Sequence, residues 1–280
     1  MAAPINGGGW QQYLEDKKYL EEKGYDFTTR VKGNVAMIEV NERAYRYIDR
    51  DKVTSNAGYH LSKMVMRDVD HLIKLDDGTP FMDEMREQIF DIDNCKANIG
   101  KDGIAIDITN CYWITARRLG IITERTFIKG LKKPEWKQGR NAAIGSLAAK
   151  IFIKTYKRGK HNRKDNVLIE AAPHREYARY LVLKYVFDTF MEIINTLGDD
   201  FCFYLTDCIF LTHNYKAVKE IYRILQERGY YECKSFNYQI TAVHEDIKQV
   251  EWLDYSKTDE KKREKLYYYA ESQLLEKIAR

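Results

Sequence analysis

The spacing of hydrophobic and polar residues changes several times along this chain, and each change marks an expected element. Residues 10–23 are polar and helix-like, and 35–40 read as a strand. Over 51–75, Leu61, Met64, Val65, Val69 and Leu72 fall on one helical face. Residues 80–92 predict a further helix. The apolar run from Gly103 to Ile108 predicts a strand, followed by a helical stretch over 113–119 that Gly120 is placed to end. A short helix is expected over 123–131, and Pro134 is expected to start a longer one over about 135–156. A basic loop then leads into a short strand at 166–171. Tyr177, Leu181, Tyr185, Phe187, Met191 and Ile194 predict a long helix over 173–197, stopped by Gly198. The run 201–211 predicts a hairpin around Asp207, and 215–228 a helix stopped by Gly229. Strands are expected at 230–236 and 239–244. The tail, 258–280, reads as a charged helix with an aromatic patch at Tyr267-Tyr268-Tyr269. The fold class is α+β, an antiparallel sheet carrying helices on one face.

Composition narrows the setting. The 280 residues suffice for one large domain, or a domain with an appendage, and 44% hydrophobic content supports a sizeable core. Charged residues make up 31%, and no apolar stretch approaches the roughly 18 residues of a spanning helix, so no membrane partner is expected. Residues 1–9 lack a basic start followed by an apolar segment, so no signal peptide is read and a cytoplasmic location is expected. Cys95, Cys111, Cys202, Cys208 and Cys233 form no C-x-x-C pair and read as small buried hydrophobes in a reducing compartment. The six histidines show no zinc-ligand spacing.

The net charge of +4 is mild, but its distribution is uneven. Basic residues crowd 117–164, with runs at 129–133, 137–140 and 157–164. Lys157, Arg158, Lys160, Arg163 and Lys164 in the last run point to a polyanion such as nucleic acid, the alternative being a solvated surface.

Two aspartates carry the candidate chemistry. Asp107 sits in Gly103-Ile104-Ala105-Ile106-Asp107-Ile108, and Asp207 in Phe203-Tyr204-Leu205-Thr206-Asp207-Cys208. A carboxylate inside a half-buried strand is costly unless it is paired or binds a cation. Two such strands side by side would hold two carboxylates close enough for Mg²⁺, the layout of a two-metal phosphoryl-transfer site. The alternative is that each Asp caps a strand or pairs with an Arg.

On a helix, Lys137 and Asn141 lie one turn apart and share a face that can present an ammonium and an amide to a triphosphate or a base pair. Arg140 is a second, bidentate phosphate candidate, and Gly145 permits close approach of a backbone or a base.

The order of these segments resembles the polymerase core of family B DNA polymerases. Asp107-Ile108-Thr109-Asn110-Cys111-Tyr112 is similar to the first motif, D-x-x-S-L-Y-P, matching at Asp107 and Tyr112. Lys137-Gln138-Gly139-Arg140-Asn141-Ala142-Ala143-Ile144-Gly145 is similar to the second, K-x-x-x-N-S-x-Y-G, matching at Lys137, Asn141 and Gly145. Phe203-Tyr204-Leu205-Thr206-Asp207-Cys208 is similar to the third, Y-G-D-T-D-S, matching at Thr206 and Asp207, with Leu205 at the place of the first Asp. The resemblance covers about residues 100–245.

It implies a palm over 101–254 with short fingers at about 113–150, an N-terminal accessory region over 1–100, and a reduced thumb or docking helix over 255–280. It implies two Mg²⁺ ions, with Mn²⁺ as a possible substitute, held by Asp107 and Asp207. It also implies that Tyr112 is a steric gate against the ribose 2′-OH. The activity implied is addition of dNTPs to a primer 3′-OH on a primer-template, by a minimal or split enzyme of the kind that suits a phage or mobile element. A separate subunit would supply thumb or exonuclease functions. Two alternatives remain: an inactive palm remnant serving in DNA binding, assembly or a virion, and a different Mg²⁺-dependent nuclease or nucleotidyltransferase.

Overall fold

A computed structural model describes residues 5, 7–32, 35–49, 55–74, 88–132 and 136–275. In chain order the first elements are β1 (Gly8–Gly9), α1 (Trp10–Glu22), β2 (Phe27–Lys32), β3 (Val35–Val40), β4 (Arg43–Ile48), α2 (Ser55–Leu72), β5 (Gln88–Phe90) and α3 (Ile92–Ala97). Next come β6 (Asp102–Ile108), α4 (Cys111–Arg118), α5 (Glu124–Leu131), α6 (Lys137–Gly145), β7 (Ile151–Lys157), β8 (Lys160–His161) and β9 (Val167–Ile169). The remainder are α7 (Pro173–Leu197), β10 (Phe201–Leu205), β11 (Cys208–Thr212), α8 (Tyr215–Glu227), β12 (Cys233–His244), β13 (Gln249–Asp254), α9 (Glu260–Arg263) and β14 (Glu264–Tyr268). The class is α+β with largely antiparallel sheets.

The chain divides into two compact units, one of residues 1–79 and 120–179, the other of 80–119 and 180–280. The sequence division at 100 and 254 is a different one, since residues 101–254 contribute to both units.

The first unit is built on a seven-stranded sheet in the order β1-β4-β3-β2-β7-β8, with β9 also on β7. Asn41 and Glu42, both at positive φ, make the two-residue turn between β3 and β4 that suits the twist of a hairpin. The core places Tyr13 and Leu20 of α1 against Phe27, Ile38, Val40, Tyr47 and Tyr156 of the sheet. Asp16 is buried on the same helix and accepts hydrogen bonds from Tyr47 Oη (2.7 Å) and Gln12 Nε2 (2.6 Å), so its charge is not left bare. The face buried on α2 is Leu61, Val65, Asp68 and Val69, whereas Leu72 is exposed. Asp68 accepts from the Thr123 N–H (2.9 Å) and Thr123 Oγ1 (2.8 Å), which ties the N-cap residue of α5 to α2.

Two corrections to the expected elements fall in this unit. The long helix over 135–156 ends at Gly145, and Ile151-Phe152-Ile153-Lys154-Thr155-Tyr156-Lys157 is a strand paired with β2. Its alternating β-branched and aromatic residues fit a pleated surface, and β2 supplies the partner that local sequence does not show. Of the helix expected over 80–92, residues 80–87 lie outside the described residues, and 88–92 are β5 and the start of α3.

The second unit is a seven-stranded sheet in the order β14-β13-β12-β6-β11-β10-β5. Isoleucines 104, 106 and 108 of β6 face a core formed with Val186, Phe190, Ile193 and Ile194 of α7 and with Ile221, Ile224 and Leu225 of α8. The buried stripe of α7 is thus offset from the residues that predicted the helix, of which only Ile194 is fully buried. The opposite face gathers Phe90, Phe203, Phe210, Tyr238, Trp252 and Tyr269. Phe203 on β10 and Trp252 on β13 approach to 5.2 Å between ring centroids. Three strands lie between them, so a flat sheet would hold them about 19 Å apart. The sheet is therefore strongly coiled, and this face is concave. Gly103 leaves room for the Tyr238 ring on this face: a Cβ there would lie 2.4 Å from that ring and 2.8 Å from the Leu211 carbonyl oxygen.

The tail differs from its expected helix. Among the described residues of the tail, Glu260–Arg263 is α-helical and Glu271–Gln273 is a single 3-10 turn, while Glu264–Tyr268 adds to the sheet as β14, with Tyr267 stacked on Trp252 at 5.3 Å. Pairing with β13 and the stacking of Tyr267 on Trp252 outweigh the helix propensity of the charged residues, while Tyr267 and Tyr268 stay exposed and Tyr269, just past β14, is buried beside Phe90. The strands expected at 230–236 and 239–244 are one strand, β12, with a register shift between Ile240 and Ala242. Residues 276–280 lie outside the described residues.

Candidate metal and nucleotide site

Asp107 is the penultimate residue of β6. Strand alternation sends Ile106 and Ile108 to the helix-covered core and turns Asp107 to the concave face, where it is half-buried. Its in-register neighbours are Cys208 on β11 and Lys234 on β12. Asp207 lies in the two-residue turn that joins β10 to β11, because Leu205 pairs with Cys208.

Backbone bonds fix that turn beside β6. The Ile108 N–H donates to the Asp207 carbonyl at 3.0 Å, and the Asp207 N–H donates to the Leu205 carbonyl at 2.7 Å. The Thr206 carbonyl accepts from both Tyr112 Oη (3.2 Å) and Tyr204 Oη (2.8 Å), and Thr206 Oγ1 donates to Asp207 Oδ1 at 3.2 Å. Thr206 has φ +52°, a left-handed conformation that a β-branched residue adopts at a cost. Two phenol hydroxyls thus converge on the strained residue that aims Asp207. Asn110, at φ +57°, makes the equivalent sharp turn from β6 into α4 and so places Tyr112.

The electrostatics report the convergence of the two carboxylates. Burial, followed by the charges of Asp107, Asp207 and Asp254, pushes the Cys208 thiol well above its ordinary range. Burial does the same for Cys111, with Asp207 and Asp107 adding to it. Burial and Asp107 push Cys233 up to about 11. The thiols around the aspartates are therefore protonated, and the ionic donors are hard carboxylate oxygens. Such a set suits Mg²⁺ or Mn²⁺ rather than a thiolate metal. Among the described residues no group of three or more His, Cys, Asp or Glu side chains is gathered to hold a metal. Mg²⁺ commonly takes one or two protein carboxylates and completes its shell with water and substrate phosphate.

The other candidates belong to the first unit. On α6, Lys137, Asn141 and Gly145 share an exposed stripe, and the space beside Gly145 is open. Arg140 is buried instead, and donates to the Gly130 carbonyl at 2.8 Å, bracing α6 against the end of α5. Binding a phosphate would require it to leave that position. Lys157, Arg158, Lys160, Arg163 and Lys164 are exposed around the β7–β8 hairpin. Lys157 forms an ion pair with Asp165. The Arg158 N–H donates to Asp26 Oδ1 at 2.7 Å.

The structure thus brings Asp107, Asp207 and Tyr112 together in one unit. It adds Lys234, in register with Asp107, and Tyr204, on the Thr206 carbonyl, which the sequence alone did not single out. Lys234 follows an apolar residue at a strand start, and only its register with Asp107 gives it meaning. Among the described residues no helix is long and apolar enough to cross a membrane. The chain matches no protein-family model, no curated protein and no solved structure.

Proposed function

We propose that this chain is a minimal or split DNA polymerase of the family B kind, adding dNTPs to a primer 3′-OH. The observation that carries this reading is the placement of Asp107 on a sheet strand and Asp207 in the adjoining hairpin turn, held together by the Ile108–Asp207 backbone bond. The coiled sheet with helices on its far face is the palm in this reading. Asp107 and Asp207 hold the divalent cations, which when bound lower the pKa of the primer 3′-OH and neutralise charge on the transferring phosphate. Tyr204 and Tyr112 fix the turn that orients Asp207. The exposed Lys137 and Asn141 are the residues for the triphosphate and the nascent base pair. The basic hairpin at 157–164 holds the nucleic-acid backbone, and a separate subunit supplies the thumb.

The test is primer extension on a labelled template-primer with Mg²⁺ or Mn²⁺ and all four dNTPs. Wild type is expected to extend, and Asp107→Ala and Asp207→Ala to lose extension while remaining folded. Failure of the folded wild type, alone and with partner subunits, would favour the second reading, an inactive palm remnant. Leu205 motivates that reading: a nearly buried apolar side chain stands where the third motif carries its first Asp.

A further inference from the structure

The concentration of positive charge in the first unit continues past the hairpin onto an open apolar face. Residues 150–170 contain seven Lys or Arg and two acids. Phe152 and Lys154 of β7 lie on one side of the strand, with Lys150 just before its start, and all three are exposed, Phe152 by 45%; Lys150 forms a surface ion pair with Glu170 at 2.7 Å that a phosphate would have to displace. Phe152 pairs directly with Leu168 of β9, itself 49% exposed. Arg30 pairs with Ile153, and continuing that register brings the exposed Val31 of β2 alongside Phe152. Four residues further along the same side of β7, Tyr156 stacks on Phe27 at 4.4 Å and joins the core with α1. The same face is thus covered by α1 at Tyr156 and left open at Phe152.

An exposed aromatic ring in the middle of a pleated surface, flanked by Val31 and Leu168 and bracketed by two lysines, matches the π-face of an unpaired base and the phosphates on either side of it. A duplex buries its base faces and cannot use such a ring. We propose that the β2–β7–β9 face is a platform for single-stranded nucleic acid. Phe152 stacks a base, Lys150 and Lys154 contact neighbouring phosphates, and Arg163 and Lys164 extend the track. Val31 belongs to the first hundred residues, outside the segment that resembles a polymerase. The proposal rests on the nucleic-acid part of the function above and not on its chemistry.

The test is equilibrium binding of the full chain to fluorescent oligo-dT of about 20 nucleotides, beside a blunt hairpin duplex, at about 50 mM salt. No metal or dNTP is added, so the outcome is separable from that of primer extension. The wild type is expected to prefer the single strand. Phe152→Ala is expected to weaken it about ten-fold or more, with Phe152→Tyr restoring binding. Lys154→Gln is expected to lower the slope of log affinity against log salt by about one. Absence of oligo-dT binding, equal binding of the duplex, or an undiminished Phe152→Ala of wild-type thermal stability would each overturn the proposal. Self-association abolished by Leu168→Glu, with no oligonucleotide bound, would assign the face to a second copy of the chain instead.

Discussion

Lys234 stands directly across from Asp107 in the antiparallel β6–β12 pair, so a cation adjoins the carboxylate proposed to bind metal. Directly opposed side chains in such a pair start about 5 Å apart. The ammonium opposes a divalent cation at Asp107. Lys234→Ala is therefore expected to tighten Mn²⁺ binding about three-fold at low salt, and Lys234→Glu to tighten it further. Titration followed by calorimetry or electron paramagnetic resonance reads this directly. Identical Mn²⁺ affinity in all three proteins would place the cation away from Asp107.

Tyr112 has two separable features, its hydroxyl and its ring. The hydroxyl donates to the Thr206 carbonyl, which Tyr204 also serves. Tyr112→Phe is expected to cost about 1 kcal/mol in thermal or denaturant unfolding and to leave discrimination between dNTPs and rNTPs intact. Tyr112→Ala is expected to relax that discrimination in primer extension. If Tyr112→Phe alone admits ribonucleotides, the hydroxyl rather than the ring is the gate.

Lys137 and Arg140 are three residues apart on α6 and should behave oppositely. Lys137 is exposed, so Lys137→Ala is expected to change stability by less than about 0.5 kcal/mol while suppressing extension. Arg140 is buried and bonded to Gly130, so Arg140→Ala is expected to cost about 2 kcal/mol of stability. Chemical denaturation of the two variants beside wild type checks the contrast. A stable Arg140→Ala that no longer extends primers would return Arg140 to the phosphate site.

Asp70 links α2 to the start of α7 through Arg175 Nε (2.7 Å) and Nη2 (2.6 Å) and through His174 Nε2 (2.8 Å). The Arg175 guanidinium is the main cause that holds its carboxyl down to about 2, from an ordinary value of 3.8. A depressed carboxylate pKa stabilises the folded state above the unfolded value, and that stabilisation is lost as pH falls through the folded value. Melting temperature is expected to fall as pH drops from about 4 to about 2, with Asp70→Asn less stable near neutrality and flatter across that window. The pair is partly exposed, so the effect is modest and shrinks with salt. A wild type and Asp70→Asn with parallel pH profiles would remove the ion pair from the account.

Much of the local order was written in the chain. Strong periodicity and a clear stop signal marked α7, α8 and the Asp207 hairpin, and β3 and α5 were legible in the same way. The sequence also brought Asp107 and Asp207 forward, because a carboxylate in an apolar run is conspicuous on energetic grounds alone. Non-local pairing decided the rest. Residues 151–157 could continue a helix until β2 offers a hydrogen-bonding edge, and 264–268 remain helix-like until Trp252 presents a surface for Tyr267. Which face of α7 is buried depends on the sheet it meets, which is why the stripe through Val182, Val186, Phe190 and Ile193 lay beside the predicted one. The partners of the two aspartates, Lys234 across one strand pair and Tyr204 with Tyr112 on the Thr206 carbonyl, follow from register and sheet coiling. Register joins residues more than a hundred positions apart, and only the folded sheet fixes it.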